Sequence, residues 1–189
     1  MNYLIASDIH GSLPALEQIL DYYDRHDFDQ LLLLGDILNY GPRNGVPEGL
    51  NAQGIAERLN EHADHIICVR GNCDSEVDQM LLHFDLLGTY AIVVDGHRRY
   101  FLTHGHCYNR EHLPVGNYDA IFHGHTHLQG IEEVNTCSPD GQQRTALIVN
   151  SGSPTFPKGG NPPTFVTLCD STVRIHHLDG AVLAEKTLS

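Results

Sequence analysis

The chain has 189 residues, of which 41% are hydrophobic and 19% charged, so it can bury a sizeable core and is not disordered by composition. Its 24 acidic and 11 basic residues give a formal net charge of −13, which disfavours binding of an extended nucleic acid through the general surface. No apolar run approaches the roughly 20 residues that span a bilayer, and the N-terminal residues lack the basic segment of a signal peptide.

The cysteines also restrict the class of protein. They number five, which is odd, and none of them forms a C-x-x-C pair, so both a disulfide framework and a cysteine zinc site are disfavoured. These features predict a reduced, cytoplasmic protein. Because no repeat, low-complexity tract or linker interrupts the chain, we expect one domain over residues 1–189.

The first half of the chain predicts three strands alternating with helices. Each apolar run ends in polar residues, and Ser12 is placed to cap the first helix with Pro14 in its first turn. Serial β-α units of this kind favour parallel strands with helices on the faces of the sheet. The predicted strands cover residues 3–7, 31–34 and 66–69, the helices run to about residue 25 and from about 51 to 63, and residues 40–49 form a loop.

The second half predicts short strands. Residues 91–94 and 99–102 flank Asp95-Gly96 as a hairpin, and residues 120–122 form a strand that runs into a histidine-rich segment. From residue 131 onward short strands alternate with turn signals, so this half is predicted to be antiparallel. The fold class is therefore α/β passing into β.

Metal-ligand residue types recur directly after the apolar runs. Taken singly, an aspartate there is usually a cap, and Asn72 is usually a turn residue. Together they indicate a site, because strand ends are where sites form in open α/β sheets. Carboxylate, amide and imidazole ligands suit Mn²⁺, Fe²⁺ or Zn²⁺ better than Ca²⁺. The residues in question are Asp8, His10, Asp36, Asn72, His104, His106, His123, His125 and His127.

These residues also carry a family resemblance. The ordered motifs D-I-H-G at 8–11, G-D at 35–36, G-N at 71–72, H-G at 104–105 and G-H-T-H at 124–127 resemble those of the calcineurin-like metallophosphoesterases. The longer segments DIHGSLPA, GPRN, RGNCDSEVDQML, THGH and PKGGNP resemble the YfcE-type phosphodiesterases within that family. The resemblance covers essentially the whole chain and implies a β-sandwich flanked by helices, in α/β/β/α layers.

The resemblance implies a site for two divalent cations, with Mn²⁺ favoured and Ni²⁺, Zn²⁺ or Fe²⁺ as alternatives. By similarity, a bridging hydroxide activated by the two cations hydrolyses a small phosphodiester. One cation would be held by Asp8, His10 and His127, the other by Asn72, His104 and His125, and Asp36 would bridge them.

Three further residues are candidates for catalysis. Arg43 could contact a phosphoryl oxygen or be an ordinary surface arginine, with neither interpretation favoured. Cys73 stands where many family members have a histidine that protonates the leaving group, so the general acid here is open, and His106 is an alternative. Asp74 and Ser75 are predicted to cap a helix. Residues 150–160 form either a rim loop of the pocket or a connector.

Two other functions remain open. The same fold serves as a protein-binding scaffold in a retromer subunit, although a scaffold has no reason to keep all seven ligand positions. A nucleotide-directed hydrolase with the same chemistry is the second alternative. The expected partner is a small phosphodiester, with no membrane and no extended nucleic acid, and a homo-oligomer is left open.

Overall fold

Two β-sheets lie face to face in the computed structural model, which describes residues 1–138 and 140–188. The first sheet has the strand order β11-β10-β9-β1-β2-β3 and the second β4-β5-β6-β8-β7. The strands are β1 (Tyr3–Ala6), β2 (Gln30–Leu33), β3 (Ile66–Cys68), β4 (Tyr90–Asp95), β5 (Arg98–Thr103), β6 (Ala120–His123), β7 (Gly130–Cys137), β8 (Gln143–Asn150), β9 (Thr164–Cys169), β10 (Thr172–His177) and β11 (Val182–Thr187).

The predicted β-α units of the first half are confirmed. Strands β1, β2 and β3 pair in parallel, with Ile5 opposite Leu32 and Leu32 opposite Ile67. Pro14 lies in the first turn of the first helix, but the Ser12 side chain forms no capping bond and instead donates to the Glu48 carbonyl oxygen. The α-helices are α1 (Leu13–Arg25), α2 (Ala52–Asn60) and the short α3 (Glu76–Gln79).

The second half differs from the antiparallel prediction at its centre. The outer strands β4 and β7 are antiparallel to their neighbours as expected, whereas β5, β6 and β8 are parallel to one another. The last four residues of β5, all of β6 and the last five of β8 are buried without alternation. Continuous burial is typical of parallel strands covered on both faces. The prediction relied on the turn residues between the strands, which suggested antiparallel pairing.

The core consists of layers. Helices α1 and α2 cover the outer face of the first sheet through residues such as Leu16 and Leu59, and the two inner faces meet around Tyr3, Phe122 and Val166. The predicted sandwich is confirmed.

The predicted second helical layer is not found in the part of the chain that the structure describes. On the outer face of the second sheet, Tyr108 and Leu113 of the β5–β6 loop pack on Phe101 and Ile121 instead. None of the helices in the described residues is long and apolar enough to cross a membrane.

Candidate metal centre and active site

The parallel strands of both sheets deliver the predicted ligand residues to one edge of the sandwich. Polar residues follow the carboxyl ends of five strands, which is where open α/β sheets place their sites. Asp8 follows β1, Asp36 follows β2, Asn72 follows β3, His104 follows β5, and His125 and His127 follow β6.

Five of these residues adopt a left-handed backbone conformation, which L-residues other than glycine rarely adopt. Such a conformation costs about 1–2 kcal/mol per residue and is concentrated at functional sites. The φ angles are 57° at Asp8, 51° at His10, 55° at Asp36, 69° at His125 and 60° at His127. Among the described non-glycine residues, only Asp170 and Ser171 share this conformation.

Three histidines are oriented by backbone carbonyl oxygens. In each ring Nδ1 is engaged with a carbonyl, so the neutral ring carries its proton on Nδ1 and leaves the Nε2 lone pair free for a cation. The Nδ1–oxygen distances are 2.9 Å from His10 to Asn39, 2.8 Å from His104 to Leu34 and 2.6 Å from His127 to Phe156.

One cluster forms around Asp8, which is fully buried. Its Oδ2 accepts the backbone N–H of His125 at 2.8 Å, while Oδ1 has no hydrogen-bond partner among the described residues. Oδ1 lies 3.6 Å from His10 Nε2 and 3.3 Å from His127 Nε2, and these two nitrogens are 3.2 Å apart. Facing lone pairs and an orphaned carboxylate oxygen are unfavourable together without a positive charge, so this donor set fits a cation.

A second cluster forms around His104. Its Nε2 lies 3.1 Å from Asn72 Oδ1, 3.2 Å from His125 Nδ1 and 3.4 Å from Asp36 Oδ2. Asp36 Oδ2 is also 3.7 Å from His10 Nε2, so one carboxylate oxygen faces both clusters. Its other oxygen accepts the backbone N–H of Cys73 at 2.8 Å.

The carboxylates and histidines of the two clusters shift one another's pKa values. Burial alone would raise the pKa of Asp8, but the adjacent imidazole rings of His10 and His127 outweigh it and hold that pKa well below its usual range. Burial alone would lower the pKa of His104, but Asp36 and Asp8 raise that pKa to about 9. Below that pH the ring holds a proton where a cation would bind, so cation binding must release it.

Asp74 holds the Asp36 segment in place through hydrogen bonds to its backbone. The prediction that it caps a helix is wrong: its buried carboxylate accepts the backbone N–H groups of Asp36 at 2.8 Å, Ile37 at 2.9 Å and Gly71 at 2.7 Å. Ser75 alone caps α3, in a capping box with Asp78. Gly71 allows this arrangement because a Cβ there would overlap the carboxylate of Asp36.

A cavity of about 600 Å³ opens over the two clusters. Of the further candidates, Arg43 and Cys73 line it, whereas His106 is exposed and lies outside its lining, with its ring centroid 5.4 Å from that of His104. Lys158 also lines the cavity, so the segment 150–160 reaches the rim of the pocket through this residue.

Sequence reasoning missed Asn44, whose Nδ2 lies 3.3 Å from His10 Nε2 and which lines the same cavity. Its position one residue after Arg43, in a loop rich in glycine and proline, was the available signal. The backbone carbonyls that orient the histidines leave no signal in the sequence, because any residue type can supply them.

Comparison with known proteins confirms the family resemblance. The calcineurin-like phosphoesterase superfamily domain matches residues 1–172. The chain is 44% identical over 192 residues to phosphodiesterase YfcE of Escherichia coli (strain K12), covering 100% of this chain and 99% of that protein. The structure of YfcE, a phosphoesterase from E. coli, matches with a TM-score of 0.91 at 42% identity and 100% coverage of both chains.

A more distant structure shows the breadth of the fold. Wild-type Vps29 from Entamoeba histolytica, solved with zinc, matches with a TM-score of 0.61 at 19% identity, again over 100% of both chains. That likeness concerns the fold alone, whereas the family match and the full-length identity concern the chain itself. The chain is thus a homologue of phosphodiesterase YfcE and belongs to the calcineurin-like phosphoesterase superfamily.

Proposed function

We propose that this protein hydrolyses small phosphodiesters with the help of two divalent metal ions held at the edge of the sandwich. The observation that supports it best is the orphaned Oδ1 of Asp8, which is buried among imidazole nitrogens and has no hydrogen-bond partner in the described residues. A buried ionised carboxylate requires a positive partner, and the relatives with high identity over the whole chain are phosphodiesterases.

The ligands are proposed as two overlapping sets. Asp8, His10 and His127 would hold one ion, and Asn72, His104 and His125 the other. Asp36 would serve both sets, since its carboxylate lies near His10 and His104.

The chemistry divides between the ions and the chain. When bound, two divalent ions lower the pKa of a shared water and offset the charge on the phosphate oxygens. Asp36 and the histidines fix the positions of those charges, because their own orientation is set by backbone hydrogen bonds. Arg43 is proposed to contact a phosphoryl oxygen from the cavity wall.

The site lacks a strong general acid to protonate the leaving group. Burial and the neighbouring carboxylate of Asp36 raise the pKa of Cys73 to about 12, so its thiol is a much weaker acid than an imidazolium. His106, the other candidate, lies outside the cavity lining. The proposed substrates are therefore diesters whose leaving group departs as a stable anion.

Replacing Cys73 with histidine tests this point. We expect Cys73→His to raise kcat/KM at least about tenfold for diesters with an alkoxide leaving group, and to change hydrolysis of 4-nitrophenyl esters little. Cys73→Ser, which supplies no better acid, is the matched control. Metal content is measured in parallel, because a histidine here lies near His10 and Asp36. Equal rates on alkyl esters before and after the substitution would contradict the missing-acid interpretation.

A substrate panel tests the proposed function itself. Phosphomonoesters and phosphodiesters are assayed with Mn²⁺, Ni²⁺, Zn²⁺ and Mg²⁺ in turn, and we expect hydrolysis of aryl diesters to depend on the added metal, with Mn²⁺ most active. Comparing a short oligonucleotide with a small diester separates a nucleotide-directed hydrolase. Tight metal binding with no hydrolysis of any aryl diester would instead support a non-catalytic scaffold.

A further inference from the structure

The cationic side chains of this acidic protein are distributed unevenly. The chain has eleven lysines and arginines, and seven of them pair with carboxylates within the described residues. Arg43 and Lys158, which form no ion pair there, both line the cavity over the metal clusters. The other two, Arg99 and Arg144, line a separate cavity at the far end of the second sheet.

Lys158 stands on a loop that is tied to the metal-binding segments. Its backbone N–H donates to the carbonyl of His127 at 3.0 Å, and its own carbonyl accepts from Asn161. Upstream in the same loop, Ser153 donates to the Asp8 carbonyl at 2.8 Å and Thr155 to the Ile9 carbonyl at 2.7 Å. Lys158 is exposed, but its backbone is tied to that of the proposed ligand His127.

The charge in the cavity exceeds what a simple diester needs. Among the lining residues Asp36 is the sole carboxylate, although the chain has 24 acidic residues. Two divalent ions offset Asp8, Asp36, the buried carboxylate of Asp74 and a shared hydroxide, and Arg43 then matches the single negative charge of a phosphodiester. The ammonium of Lys158 then has no counter-charge among the residues that the structure describes.

We propose that Lys158 binds a second ionised oxyanion of the substrate, a carboxylate or a phosphate carried on the ester group beyond the scissile phosphate. This inference rests on the proposed function and narrows it to diesters with an additional negative charge. A lysine suits the task because its ammonium is a point charge on a flexible stem and reaches groups at varied positions. Lys158 is a specificity residue in this scheme, and the scissile phosphate does not depend on it.

Matched esters test the proposal. The probes are 4-carboxyphenyl 4-nitrophenyl phosphate, its neutral 4-carbamoylphenyl counterpart and the 4-phosphonophenyl analogue, all of which release 4-nitrophenolate. We expect the wild-type protein to show a KM about fivefold lower for the charged esters, at similar kcat. Lys158→Gln should abolish this preference and leave the neutral ester unchanged. The carboxylate and phosphonate arms show which oxyanion is preferred.

The chain offers a natural control, because its one other lysine is Lys186, which pairs with Glu133 on a neighbouring strand at 2.8 Å. Lys186→Gln should keep the full preference for charged esters. An undiminished preference in Lys158→Gln, or none in the wild-type protein, would overturn the proposal.

A binding measurement separates this proposal from the proposed function. Reductive ¹³C-methylation labels Lys158, Lys186 and the N-terminal amine, and the two glutamine variants assign the lysine signals. Titrating the Mg²⁺-loaded protein with 4-carboxyphenyl phosphate should shift the Lys158 signal at a lower concentration than 4-carbamoylphenyl phosphate does. If no diester is hydrolysed, the proposed function fails and this titration alone decides: equal shifts with both ligands overturn the Lys158 subsite.

Discussion

Replacing Asp36 with asparagine is expected to lower kcat/KM for an aryl phosphodiester by about 10³-fold in the presence of Mn²⁺, since bound metals supply several kcal/mol of transition-state stabilisation. The amide keeps the size of the side chain, and its carbonyl oxygen can still accept the N–H of Cys73, bonded to Oδ1 at 2.8 Å. The loss is confined to the negative charge at Oδ2, which faces His10 and His104.

The metal content of the variant gives the reason for the loss. Because Asp36 Oδ2 faces both clusters, Asp36→Asn should weaken binding of both ions, whereas His127→Ala should weaken one, since its Nε2 lies beside Asp8. Metal per protein, measured after dialysis, separates the two patterns. Asp21→Asn, an exposed carboxylate paired with Arg25, is the control and should retain full activity. Near-normal turnover by either site variant would exclude the two-metal account.

The position of the site could be predicted from the sequence because a short-range pattern marks it. Each strand that delivers a ligand is an apolar run that stops at a polar residue, and parallel strands bring their carboxyl ends to one edge. Once three parallel strands were assigned, it followed that Asp8, Asp36 and Asn72 lie close together. The proposed assignment of those residues to two metal ions came from the family resemblance instead.

Other features depend on contacts between residues distant in the chain. The parallel centre of the second sheet pairs β6 with β8 across the whole of β7, and local turn signals do not report such pairing. The outer face of that sheet is covered by Tyr108 and Leu113, which lie in a loop without helical periodicity. Asp74 was assigned to a helix end because an acidic residue beside Ser75 fits a cap, whereas its partners lie up to 38 residues away.

Asp74 carries the second large prediction. Asp74→Ala removes the acceptor of three backbone N–H groups, those of Asp36, Ile37 and Gly71, in a site where the side chain is 3% exposed. A buried donor left without a partner costs about 1–3 kcal/mol, and partial rehydration of the cavity offsets some of this, so we expect a loss of about 3–5 kcal/mol in the free energy of unfolding. For a chain of this size the melting temperature should fall by about 10 °C.

Asp74→Ala should also lower metal affinity. The N–H of Asp36 donates one of the three hydrogen bonds that are lost, and Asp36 is held at a φ of 55° by its surroundings. Without that support the left-handed conformation loses an anchor, and metal affinity should fall together with stability. Asp78→Ala provides the contrast: it breaks the capping box of α3, which is worth about 1 kcal/mol, and leaves the Asp36 segment intact. Thermal unfolding with and without Mn²⁺ measures both effects. An Asp74→Ala protein that Mn²⁺ stabilises as much as the wild type would show that Asp74 supports the fold alone and has no part in positioning Asp36.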